Sequence, residues 1–174
     1  MSYKPTKLVE LAWRRPPRCL RDFEVEAVTN PASFTAVRDE QAFFRLSCVC
    51  GSAFLSILGF STPEAGGYLL SPLSARCDAC GRVSTVFNPQ EHGYDAEFGS
   101  CYSIPPTGEP RRFVCPKCPG MIFAAYPAFS YQLEGDEFEP GQWAHIQDFF
   151  DCFALNVQCK NCGTLCTAAG YECA

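Results

Sequence analysis

Histidine is scarce in this chain of 174 residues; there are two, His92 and His145. Charge is sparse as well, at 19% of residues. No apolar run approaches the roughly 18 residues of a membrane-spanning helix. The opening MSYKPTKLVELAW has no apolar core of the kind a secretory signal needs. There is no glycine-rich phosphate loop, no His-Glu zinc helix and no serine nucleophile elbow. These absences argue against a helical membrane protein, a P-loop enzyme, a zincin and an α/β-hydrolase. They also leave a nucleophile with no fixed His–Asp pair to activate it.

Cysteine, by contrast, is abundant, with thirteen residues. Without a secretory leader the expected compartment is the reducing cytoplasm, where dense cysteine points to metal or catalysis rather than disulfides. Charge is unevenly placed. Residues 1–21 hold six basic residues (Lys4, Lys7, Arg14, Arg15, Arg18, Arg21) and one acid, Glu10. The rest of the chain is acidic, and the formal total is −5. An acidic body repels nucleic acid unless the basic N-terminus acts as a separate patch.

Eight of the cysteines fall into four pairs: Cys48-Val-Cys50-Gly51, Cys77-Asp-Ala-Cys80-Gly81, Cys115-Pro-Lys-Cys118-Pro-Gly120 and Cys159-Lys-Asn-Cys162-Gly163. Their surroundings recur. An apolar stretch follows the first pair of each half (GSAFLSILGF at 51–60, GMIFAAYPAFSYQL at 120–133). A similar stretch precedes the second pair (YLLSPLSARC at 68–77, FALNVQC at 153–159), and a short strand candidate follows it (RVSTVF at 82–87, TLCTAAGYEC at 164–173). This reads as an internal repeat of knuckle, hairpin or meander, knuckle, strand. A glycine after the second cysteine suits a turn at positive φ that aims backbone N–H groups at the sulfurs. Gly51, Gly81 and Gly163 fit, whereas Pro119-Gly120 shifts the pattern by one.

The segments are short, rich in Phe, Tyr, Leu, Ile and Val, and punctuated by Gly and Pro, which predicts strands. Further strands are expected over 20–28 and 42–48. Residues 144–153 read as a short helix or a strand entry. The expected architecture is mainly β, two repeated zinc-knuckle units packed as one compact body with few short helices. Its parts are a basic N-terminal segment with strands (1–44), a first unit (45–90), a connector (91–112) and a second unit (113–174).

Zinc takes four ligands in a tetrahedron, and two knuckles supply them. The spacing pairs Cys48, Cys50, Cys77 and Cys80 as one site and Cys115, Cys118, Cys159 and Cys162 as the other, with two zinc ions per chain. Iron suits the same four sulfurs. Buried free thiols are the bland alternative. A redox dithiol would need a helix N-terminus after the motif, and strand-like sequence follows instead. Of the remaining cysteines, Cys152, Cys166 and Cys173 read as core, with approach to the second site the alternative for Cys166, Cys19 as exposed, and Cys101 as part of the connector. His92, Tyr94, Asp95 and Glu97 in EHGYDAE form the candidate recognition loop, against the plainer reading of a polar turn. His145 reads as partly buried.

The knuckles CVCG (48–51), CDACG (77–81), CPKC (115–118) and CKNCG (159–163) resemble those of zinc ribbons. More loosely they resemble the β-tent proteins, among them the Mss4-like, Yippee and glutathione-dependent formaldehyde-activating families. The resemblance covers about residues 45–87 and 113–174. It implies a zinc-stabilised β fold. The formaldehyde-activating family adds a rival reading, a small-molecule lyase or thiol-adduct enzyme. The leading expectation is a cytosolic module that binds a protein partner and carries structural zinc in four-cysteine sites. A nucleic-acid-binding ribbon and a rubredoxin-like iron electron carrier are the lesser alternatives.

Overall fold

A computed structural model describes residues 3–29, 34, 38–61, 67–92, 108–131 and 142–172. Within them are nine strands: β1 (Glu24–Ala27), β2 (Gln41–Ser47), β3 (Leu55–Phe60), β4 (Leu70–Cys77), β5 (Val83–Phe87), β6 (Arg111–Arg112), β7 (Phe123–Ser130), β8 (Cys152–Cys159) and β9 (Leu165–Glu172). The mainly β expectation holds, and every anticipated strand segment contains one. All pairings are antiparallel.

The sheet runs β1-β2-β7-β3-β4-β5, with β6 beside β3, and with β8 and then β9 extending from β7. It curls until β9 reaches the chain entering β4, where Leu69 N donates to Ala168 O at 2.7 Å. Alternation of side chains explains the inside of the curl. Phe44, Leu46, Ile57, Leu73, Phe129, Phe153 and Leu155 each lie on the inward side of their strand and are fully or nearly fully buried. Much of the aromatic content of the sequence gathers here. Phe87 stacks on Phe153 with centroids 4.3 Å apart, and Tyr171 and Phe150 close the cluster. On the outer side, Phe34 covers Phe43 and Tyr126.

The two meanders, β3–β4–β5 and β7–β8–β9, repeat in register. Leu55 faces Cys77 as Phe123 faces Cys159. The bulge recurs at the same step: Ser74 faces Thr85 and Leu73 faces Phe87, just as Asn156 faces Thr167 and Leu155 faces Ala169. The strand leading into the first knuckle of each half crosses over. β2 pairs with β7 of the second half, Leu46 facing Ala125. Reciprocally, β6 pairs with β3, and Phe113 N donates to Ile57 O at 2.8 Å. The halves meet where Leu55 faces Phe123.

The N-terminal segment departs from expectation. It opens with helix α1 (Lys7–Arg14), capped by the Thr6 hydroxyl, which accepts from Val9 N at 3.3 Å. Val9 and Ala12, three apart, form the buried face. A second helix, α2, is the single turn Pro89–His92. A 3-10 turn, Arg18–Leu20, follows α1 and buries Cys19, which the sequence places at the surface. Asp148 locks that turn: its carboxylate accepts from Arg18 N at 2.7 Å and Arg18 Nε at 2.6 Å, at the end of a kinked 3-10 segment, Gln142–Asp148. The carboxylate is nearly buried, so its loss leaves donors unpaired. Asp148→Ala is expected to lower stability by about 1–3 kcal/mol, read as a shift of the denaturant midpoint at unchanged slope.

Candidate metal centres

β2 and β4 end on the first pair of knuckles; β8 ends on the last one, and the chain after β6 carries the third. Cys48 and Cys77 lie on the inward side of the sheet and are buried, while Cys50 and Cys80 follow in the turns and are exposed. In the second half Cys115 and Cys159 are buried, Cys118 is half-buried and Cys162 is exposed. Each turn is built by its own backbone. Gly51 N donates to Cys48 O, Gly81 N to Cys77 O and Gly163 N to Cys159 O, at 2.7, 3.0 and 2.9 Å. These three glycines have φ of 86°, 73° and 71°, the left-handed region.

The eight sulfurs gather into two groups, Cys48–Cys50–Cys77–Cys80 and Cys115–Cys118–Cys159–Cys162, with all Sγ atoms of a group within 4.8 Å of one another. Two sulfur pairs in each group stand 3.6 Å apart (Cys48–Cys80 and Cys50–Cys77, then Cys115–Cys162 and Cys118–Cys159). None is a disulfide. A tetrahedral ion with Zn–S of about 2.3 Å needs sulfurs about 3.8 Å apart. The groups therefore match a four-thiolate metal centre in number, donor type and separation. Such an ion would balance thiolate charge and tie two chain turns together.

The electrostatics suit anionic sulfur. The backbone N–H groups of Cys80 and Ala79 draw the Cys77 thiol down to about 6. Cys162 is likewise drawn down to about 6, first by the Thr164 hydroxyl and then by its backbone N–H. At Cys50 the Ser52 N–H also lowers the thiol, but three neighbouring sulfurs outweigh it and push it up to about 12. Thiolates crowded this closely repel one another, and a cation at their centre would relieve the repulsion.

Gly120 has a different task from the other knuckle glycines. A Cβ there would stand 2.8 Å from Cys159 Sγ and 3.2 Å from Cys118 Sγ. The shifted Pro119-Gly120 pattern is thus a close approach of backbone to sulfur, and its φ is not positive. Gly120→Ala is expected to weaken metal binding at the second centre about 10–100-fold, measured by competition with a chromogenic chelator.

Cys166 lies half-buried beside the second group, its thiol pushed up to about 11 by burial and by the Cys115, Cys159 and Cys162 sulfurs. The other sequence candidates separate from the metal centres. His92 is half-buried beside Phe87, and its Nδ1 accepts from Asn88 N at 3.1 Å, which closes the α2 turn. Burial lowers its pKa. Tyr94, Asp95 and Glu97 lie outside the described residues, as do Cys101 and Cys173. His145 is exposed, contrary to the sequence reading, and sits at the kink of the 3-10 segment, where its φ is −133°. No family model, curated protein or solved structure matches the chain. Among the described residues, no helix is long and apolar enough to cross a membrane.

Proposed function

We propose that the chain is a zinc-stabilised binding module of the cytoplasm. In this reading two closed four-cysteine sites hold the fold and a surface of the sheet receives a protein partner. The observation that carries it is the donor set. Each group supplies four sulfurs, enough to fill a tetrahedron and leave no position for substrate. The ribbon-like knuckles and the repeated register support the same reading, and an internal duplication accounts for both. Metal content per chain, by mass spectrometry on protein purified without added metal, tests it. Two zinc ions are expected. One zinc, or a red iron-loaded protein, would sink the closed-scaffold reading.

Exposed Cys50, Cys80 and Cys162 favour one rival, a thiol-exchange or lyase activity of the formaldehyde-activating type, in which a thiolate leaves the metal. Glutathione-dependent release of zinc would support that rival. Zinc retention in excess glutathione, with no turnover, would remove it.

A further inference from the structure

We propose that the groove between the two metal centres is a docking site for an acidic, partly apolar peptide segment of a partner protein. The inference rests on the binding-module reading and names its surface. A groove of ≈ 530 Å³ opens between the knuckle Cys77–Cys80 and the chain after Cys118. Arg76 and Arg112 line it. They flank β3 on one face of the sheet: Arg76 faces Ser56 across one edge, and Arg112 faces Leu58, two residues on, across the other. From strand spacing and rise, their Cα atoms are about 12 Å apart, within convergent reach of two long side chains. Both are exposed, and neither has an ion-pair partner among the described residues.

Other groups in the groove fit the same ligand. Ser56 lies on the floor, and Asn161 stands beside Gly120. Met121, 40% exposed, and Ile122 form an apolar wall. The acid in the lining, Asp78, is held by Lys160 at 3.3 Å. A bent segment with an acidic residue on either side of an apolar one would pair its carboxylates with the two guanidinium groups and rest the apolar side chain on the wall.

The repeat shows that the fold does not require an arginine at position 76. The position of Arg76 in the first half corresponds to Gln158 in the second, since each precedes the third cysteine of its centre. Gln158 Nε2 donates to Gly163 O at 3.3 Å and completes the knuckle with an uncharged side chain. The second centre therefore forms without a cation at this position. The Arg76 guanidinium lies over Gly81, the counterpart of Gly163, yet serves no such bond. In a chain of net charge −5, attraction of an acidic ligand must be local, and this groove supplies it.

The test is fluorescence anisotropy of the metal-loaded chain with labelled short peptides of acid–apolar–acid sequence. Neutral amide isosteres serve as controls at about 0.15 M ionic strength. Acidic peptides are expected to bind, their isosteres to fail, and the Arg76→Gln/Arg112→Gln variant to lose about tenfold or more in affinity. Metal content of the variant reports whether it folds. Should the double variant lose metal, Arg112→Gln alone decides, because Arg112 lies outside the knuckles. Equal binding of acidic and neutral peptides, unchanged affinity in the variants, or equally tight binding of inorganic phosphate would overturn the proposal. A chain that keeps two zincs and ignores acidic peptides fails the groove but not the scaffold. Glutathione-dependent zinc loss fails the scaffold whatever the peptides do.

Discussion

Cys77→Ser is expected to empty both metal centres, leaving a chain that carries no metal ion rather than one. The first effect is local. Cys77 supplies a buried sulfur to the first group, and a serine hydroxyl is a poor replacement for the thiolate. The second effect runs through the crossed strands. Loss of the first knuckles loosens β3, and β3 holds the chain that delivers Cys115: Ile57 O accepts from Phe113 N, and Leu58 and Gly59 face Arg112 and Arg111. β2 runs directly into Cys48 and pairs with β7 from Gln41 to Leu46. The magnitudes favour collapse of the whole fold. Structural zinc contributes about 10–16 kcal/mol in small metal-dependent folds. A domain's whole stability is about 5–15 kcal/mol. Native mass spectrometry would count the ions. A stable species with one metal ion would show that the centres load independently and would refute the coupling. Chelation of the wild-type chain should likewise give one unfolding transition for both halves, followed by circular dichroism as chelator is added.

Phe153→Ala is expected to cost about 3–5 kcal/mol. The ring is 1% exposed and touches aromatics from both halves. Phe87 of β5 lies parallel at 4.3 Å, Phe129 of β7 is inclined at 5.4 Å, and Tyr171 of β9 stacks at 6.3 Å. Each neighbour is pinned by its own strand, so the cavity cannot collapse and both transfer and cavity terms apply in full. Denaturant unfolding of the metal-loaded protein measures the loss. Val83→Thr, at a site 56% exposed, should change stability by less than about 0.5 kcal/mol in the same assay. Similar midpoints for the two variants would contradict the packing account.

The strands were legible because their signals are local. Alternation in FALNVQC marks Phe153, Leu155, Val157 and Cys159 as one face, and the structure buries all four. The grouping of cysteines was legible because four pairs recur in order, and the sulfurs gather as the spacing suggested. What stayed hidden was mostly partnership. Alternation says which face of β2 is buried but not that its neighbour is β7, because any apolar-faced strand satisfies the same pattern. Helix α1 did carry a readable signal in Thr6, Val9, Ala12 and the prolines after Arg15, within a segment dominated by basic charge. Cys19 is buried in a turn whose Arg18 is held by Asp148, 130 positions away. No local pattern reports that. The arginine pair of the groove is likewise joined only by register across β3.

Asp78 and Lys160 occupy corresponding positions, each directly after the third cysteine of its centre, and they meet at 3.3 Å with Lys160 also over the Phe54 ring. Two copies of the first half docked in the same way would bring aspartate against aspartate. Two copies of the second would bring lysine against lysine. Both side chains are partly exposed, so the like-charge penalty is modest, about 0–1 kcal/mol. Its sign is nonetheless the same for both mismatched pairings. The halves behave as the unlike partners of a heterodimer joined by one peptide, each self-association slightly disfavoured and only the mixed one favoured.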